Sequence, residues 1–99
     1  MSRRKVTVVA RIRAKAGQEN AVRDALLALV PPTTAEMGCI SYDLHQSNDD
    51  PSLFLFYENW LSRDDLDDHL QSPHLLAWRA KAGALLAEPV DISLWEQLT

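Results

Sequence analysis

Apolar residues occupy every second place over positions 6–14 (Val6, Val8, Ala10, Ile12, Ala14), with mostly polar ones between, which predicts a half-buried strand. Gly17 breaks the pattern. Beyond it the spacing becomes helical: Ala21, Val22, Ala25, Leu26, Leu29 and Val30 form one stripe, with Glu19, Arg23 and Asp24 off it. Pro31-Pro32 is expected to end or kink this helix, with a further turn over 33–36 before Gly38. Cys39–Gln46 alternates again, with Ile40, Tyr42 and Leu44 on one side and Cys39, Ser41, Asp43 and His45 on the other. A turn-forming run, Ser47-Asn48-Asp49-Asp50-Pro51, then leads into Leu53–Trp60, so these two strands should pair as a hairpin.

Leu53–Trp60 is aromatic or aliphatic at almost every position, the mark of a strand buried on both faces. Ser62 then stands at a helix N-cap, with Asp65 three residues on and Asp64 beside it at the positive end of the helix. Ser72-Pro73 is a second start signal, a Ser cap followed by Pro in the first turn. After Glu88-Pro89 the alternation returns over 90–98, with Val90, Ile92 and Leu94 set against Asp91, Ser93 and Trp95. The order β-α-β-β-α-β, with its second helical region in two pieces, predicts an α+β subunit of the ferredoxin-like split βαβ kind. All of 1–99 reads as one domain, without linker or repeat. Helices cover one face of such a sheet. Because the third strand is apolar at both parities, its other face calls for a homodimer packed sheet against sheet.

Composition narrows the partners. A net charge of −4 argues against nucleic acid, which requires a basic stripe. Arg11, Arg13 and Lys15 share a strand parity and read as a solvated face. The single cysteine, Cys39, permits no internal disulfide and fits a reducing compartment. Positions 1–5 are basic, like the start of a signal peptide, but the apolar run stops at Arg11, too short for a signal or a membrane span. A soluble, cytoplasmic protein without membrane partners is the expectation.

Three runs carry a resemblance: Gly38-Cys39-Ile40-Ser41-Tyr42-Asp43-Leu44-His45, then Phe56-Tyr57-Glu58-Asn59-Trp60, then His69-Leu70-Gln71-Ser72-Pro73-His74. With the element order and short length, they resemble the antibiotic biosynthesis monooxygenase superfamily, above all its small quinol-monooxygenase-like members. The resemblance implies a dimeric α+β barrel, with a pocket between sheet and helices in each subunit. It also implies oxidation of an electron-rich hydroquinone or polyphenol-type aromatic by O2, with no metal, flavin or other cofactor. Relatives in that superfamily include haem-degrading enzymes and an isomerase of a phosphorylated sugar derivative. The haem branch carries a tryptophan and a haem-ligating histidine where this sequence has His69 and Arg79, so haem degradation is not implied. An isomerase of a small oxygenated metabolite and a non-catalytic dimeric ligand-binding or stress protein are the alternatives.

The candidate catalytic residues are His69 and Glu58. His69 lies at the edge of the short helix's apolar stripe, where it can exchange a proton with a phenol or pair with Asp65 on the surface. Glu58 alternates with Phe56 and Trp60, so burial of that face would raise its pKa. Tyr42, Phe56, Asn59, Trp60, His74 and Trp78 are the candidate substrate-binding residues, able to stack on or hydrogen-bond a planar ligand. His74, in the first turn of its helix, is expected to be a neutral imidazole. His45 and Cys39 read as surface or filler. His69 and His74 are five apart across a helix break, so they form no helical metal-binding pair, and there is no Gly-rich phosphate loop.

Overall fold

A computed structural model of the protein describes residues 4–99; most of the basic opening, positions 1–3, lies outside the described residues. The elements are β1 (Val6–Arg13), α1 (Glu19–Thr34), β2 (Cys39–Gln46), β3 (Leu53–Trp60), α2 (Arg63–Leu70), α3 (Pro73–Leu85) and β4 (Asp91–Trp95). The strands form one antiparallel sheet in the order β2-β3-β1-β4, the ferredoxin-like arrangement.

The alternation in β1 sets the core. Val8, Ala10 and Ile12 are buried on the face that also carries Phe54, Phe56 and Trp60 of β3. Against them pack Val22, Leu26 and Leu29 of α1, Leu66 of α2, and Leu75 and Trp78 of α3. The hairpin between β2 and β3 is closed by side chains. Ser47 Oγ accepts from the amides of Asp49 and Asp50, and the Asp50 carboxylate accepts from Ser52 and from Arg13 Nη1 at 2.7 Å. The bonds from Ser52, then that from Arg13, hold Asp50 down at a pKa of about 2.

Both helix starts predicted between β3 and β4 are present. Ser62 Oγ accepts from the Asp65 amide at 3.2 Å and donates to the Asp65 carboxylate at 2.8 Å. Ser72 occupies the cap position of α3, yet its hydroxyl turns back to donate to the His69 carbonyl at 2.7 Å.

Three sequence expectations are corrected. Of the two outcomes expected at Pro31-Pro32, an end is ruled out: α1 continues through them to Thr34, into the further turn expected over 33–36. The prolines remove the donors that would reach the carbonyls of Leu27 and Ala28, both on the exposed side where water can serve them. The Ala35 amide and Thr34 hydroxyl then bond back to the Pro31 carbonyl and close the turn. In β2 a bulge between Cys39 and Ser41 places Cys39 opposite Trp60. Cys39 therefore packs on the core while Ile40 is exposed, the reverse of simple alternation. Finally, β4 spans Asp91–Trp95 rather than 90–98, the five residues that form a ladder with Thr7 to Arg11 of β1.

Among the described residues no helix covers the second face of the sheet, where Val9, Leu55, Tyr57 and Trp95 lie, Tyr57 and Trp95 being exposed. Across it runs a polar row: Thr7 Oγ1 donates to Asn59 Oδ1 at 2.6 Å, and Asn59 Nδ2 donates to Ser41 Oγ at 3.0 Å. Among the described residues no helix is long and apolar enough to cross a membrane.

Candidate functional site

A cavity of about 330 Å³ lies between the sheet and the helices. Its floor is Val8, Ala10 and Ile12 of β1 with Tyr42 and Phe56, and its roof includes Leu29, Leu66, Leu75 and Trp78. At the β4 edge Ile92 and Leu94 flank it. These two are roughly half exposed although they face the helix side, because an edge strand has no further neighbour. The charged residues lining the cavity are Glu58, Arg63 and Arg79. Arg63 is paired with Asp67 at 3.1 Å, one helical turn away.

Strand alternation puts Glu58 on this apolar face, opposite Val8 on one side and Tyr42 on the other. It is only 5% exposed. Its pKa is pushed up to about 7, foremost by burial; the hydrogen bond from Trp60 Nε1 opposes this, and the charge of Glu36 adds to it. A carboxyl group so placed exchanges protons near neutrality, where a phenolic ligand needs a base. Tyr42 stacks on Phe56 with ring centroids 4.3 Å apart. Burial, and after it the charge of Glu58, raises the Tyr42 pKa, so this phenol stays protonated. Burial likewise pushes the Cys39 thiol up to about 11, which leaves it unreactive as a nucleophile at neutral pH.

His69 is buried, 2% exposed, and is no surface partner of Asp65. Its Nδ1 lies 2.7 Å from Glu36 Oε2. The ring lies against Trp60, centroids 4.6 Å apart, and meets Tyr42 edge-on at 5.5 Å. Desolvation is the largest influence on its pKa and lowers it, Glu36 opposes, and His74 and Arg79 lower it further. His74 Nε2 contacts the same Glu36 oxygen at 2.8 Å and stands 3.2 Å from Ser72 Oγ. A carboxylate only accepts, so each ring nitrogen facing it carries the proton.

The candidate residues thus fall into three groups. Tyr42, Phe56, Glu58 and Trp78 line the cavity together. His69, His74 and Trp60 stand behind that wall, with the His69 ring tilted against Trp60. Asn59 faces the other side of the sheet, bonded to Thr7 and Ser41 and away from the cavity. Glu36 is the residue that sequence reasoning missed. It lies between α1 and β2, two residues before Gly38, whose φ of +88° reserves that turn for glycine. The acidic side chain beside an obligatory glycine turn was its only signal. Glu36 Oε2, His69 Nδ1 and His74 Nε2 lie within 4.8 Å of one another, and they are the described residues whose donor set suits a metal ion.

Comparison with known proteins gives a consistent picture. The family model for antibiotic biosynthesis monooxygenases matches residues 5–81. The Mycobacterium tuberculosis protein Rv0793, named as a monooxygenase, is 45% identical over 89 residues, 90% of this chain and 87% of its own. Its solved structure superposes with a TM-score of 0.91 at 40% identity, covering 96% of each chain. PA3566 from Pseudomonas aeruginosa superposes with a TM-score of 0.93 at 37% identity, covering 100% of this chain and 98% of that one. Escherichia coli YgiN, named as a quinol monooxygenase, is 32% identical over 83 residues, 74% of this chain and 80% of its own.

Proposed function

The chain belongs to the antibiotic biosynthesis monooxygenase family, and from that premise we propose that it oxidises a hydroquinone or polyphenol-type aromatic with O2, without a cofactor. The observation that carries this reading is Glu58, the one carboxylate lining a mostly apolar cavity, with a pKa near 7 beside the Tyr42–Phe56 stack. The name of YgiN, as a relative, supports the quinol class.

In the proposed reaction a bound hydroquinone loses a proton to Glu58, becomes electron-rich, and itself reduces O2. One oxygen atom enters the ring and the other leaves as water, so the product is a hydroxylated quinone and the substrate supplies both electrons. The protein contributes deprotonation, orientation and exclusion of water. Tyr42, Phe56 and Trp78 hold the planar ring, and the Tyr42 hydroxyl, kept neutral, is available as a donor. His69, which meets Tyr42 edge-on and Trp60 at a tilt, serves as the second proton-handling group behind the wall. A homodimer formed through the uncovered sheet face, around Leu55 and Tyr57, is part of the same reading.

The test is O2 consumption by chelator-stripped protein with a panel of reduced naphthoquinols, compared with autoxidation. A rate above autoxidation that Glu58→Gln removes supports the reading. A rate that never exceeds autoxidation, alongside a quinol-induced rise in Tm, replaces it with a binding protein. A second reading, an isomerase of a small oxygenated metabolite, is favoured by one observation: Arg63 and Arg79 line the cavity and suit a phosphorylated or carboxylated form of it. It predicts that a phosphorylated or carboxylated metabolite raises Tm where a neutral quinol does not.

A further inference from the structure

We propose that Glu36, His69 and His74 form a binding site for one divalent transition-metal ion of the Zn²⁺ class. The three side chains come from separate segments: the connection before β2, the last turn of α2 and the first turn of α3. Their ligating atoms, Glu36 Oε2, His69 Nδ1 and His74 Nε2, lie within 4.8 Å of one another. Two imidazole nitrogens and a carboxylate oxygen are the donor set that borderline divalent ions take, and three protein ligands leave a fourth position for water.

The spacing is close to what an ion needs. Both ring nitrogens now address the same oxygen, at 2.7 and 2.8 Å. Bonds of about 2.0–2.2 Å at tetrahedral angles hold ligand atoms roughly 3.3 Å apart, so the carboxylate must withdraw by about half an ångström to admit an ion. Glu36 belongs to no helix or strand, so its side chain and its short connection can supply that shift. The side chains of Glu36 and His74 are 17% and 21% exposed, which gives an ion entry from solvent, and that of His69, 3% exposed, gives the site a rigid anchor. The ring contact between His69 and Trp60 further restricts the imidazole. None of the three ligands lines the cavity; Glu36 and His74 have no part in the quinol reading, and His69 is the one residue the two proposals share.

The experiment titrates Zn²⁺ calorimetrically into chelator-stripped, full-length protein. The expected result is one ion per chain and a rise in Tm, because an ion that ties three segments together binds only the folded state. Glu36→Gln and His74→Gln, both at half-buried positions, each lower the affinity at least tenfold, whereas His45→Gln, on the opposite face of the sheet, leaves it unchanged. Circular dichroism establishes that each variant is folded. The wild type supplies a second measurement that needs no variant: Co²⁺ broadens the ring resonances of His69 and His74 and spares those of His45. Absence of saturable Zn²⁺ binding, binding that survives both substitutions, or broadening centred on His45 overturns the proposal. Quinol-dependent O2 uptake is assayed separately on stripped protein, so the failure of either reading leaves the other standing.

Discussion

The indole Nε1 of Trp60 donates to Oε1 of Glu58 at 3.0 Å, two positions along the same strand face. This bond places a buried carboxyl between an aromatic wall and an apolar cavity, with a donor that stabilises its ionised form. Burial wins the contest, since Glu58 titrates near 7 rather than at the ordinary 4.5.

Glu58→Gln is expected to lower kcat/KM for a quinol by about 10²–10⁴-fold, the usual contribution of a general base. In the wild type kcat/KM should rise with pH and level off above about 7, where Glu58 is ionised. In the variant that limb should vanish. A pH–rate profile of both proteins checks this.

The same group makes stability depend on pH. Below 4.5 Glu58 is protonated both folded and unfolded, and between 4.5 and about 7 the unfolded chain ionises first. The unfolded state then binds fewer protons, so stability falls as pH rises through that window, by roughly 3 kcal/mol at most. Glu58→Gln should flatten this slope. Urea denaturation at pH 4.5, 6 and 7.5 reads the difference.

His69→Ala should reduce quinol oxidation by about 10²–10⁴-fold and His45→Ala should leave it unchanged. His69 is buried beside Trp60, whereas His45 is exposed. Parallel O2-uptake assays, with Tm measured on each variant, separate loss of chemistry from loss of fold.

Gly38→Ala should be much more destabilising than Gly17→Ala. Both glycines have positive φ, +88° and +87°. A Cβ at Gly38 would lie 2.2 Å from Asp65 Cγ, whereas one at Gly17 meets nothing within 4 Å. Gly17→Ala therefore carries only the backbone cost, on the order of 1 kcal/mol, and Gly38→Ala adds displacement of the α2 cap and its Asp65. Thermal unfolding of the two variants gives the comparison.

Tyr57→Asp, on the uncovered sheet face, should shift the sedimentation coefficient from dimer to monomer if copies pair there. Asp68→Lys, on the exposed side of α2, should not. A wild type that sediments as a monomer at micromolar concentration removes the dimer from the proposal.

Local information determined most of the architecture. Two-residue alternation and turn-forming residues located β2 and β3 at their observed ends, because these strands depend on pleating and on their own hairpin. Ser62 and Ser72-Pro73 marked both helix starts, since capping is decided within one turn. Alternation also placed Glu58 with Phe56 and Trp60. It equally places Asn59 on the opposite face, so its amide chemistry alone does not make it a cavity residue. Tertiary structure decided the rest. The bulge at Ile40 arises from pairing with β3, and the bounds of β4 from its ladder with Thr7 to Arg11 of β1. The helix break between His69 and His74 excludes only a pair on one helix; folding turns both rings onto one oxygen of Glu36, more than thirty residues earlier in the chain. No periodicity encodes that meeting, because it depends on the packing of the α1–β2 connection against the α2–α3 junction, which the chain acquires only when its core closes.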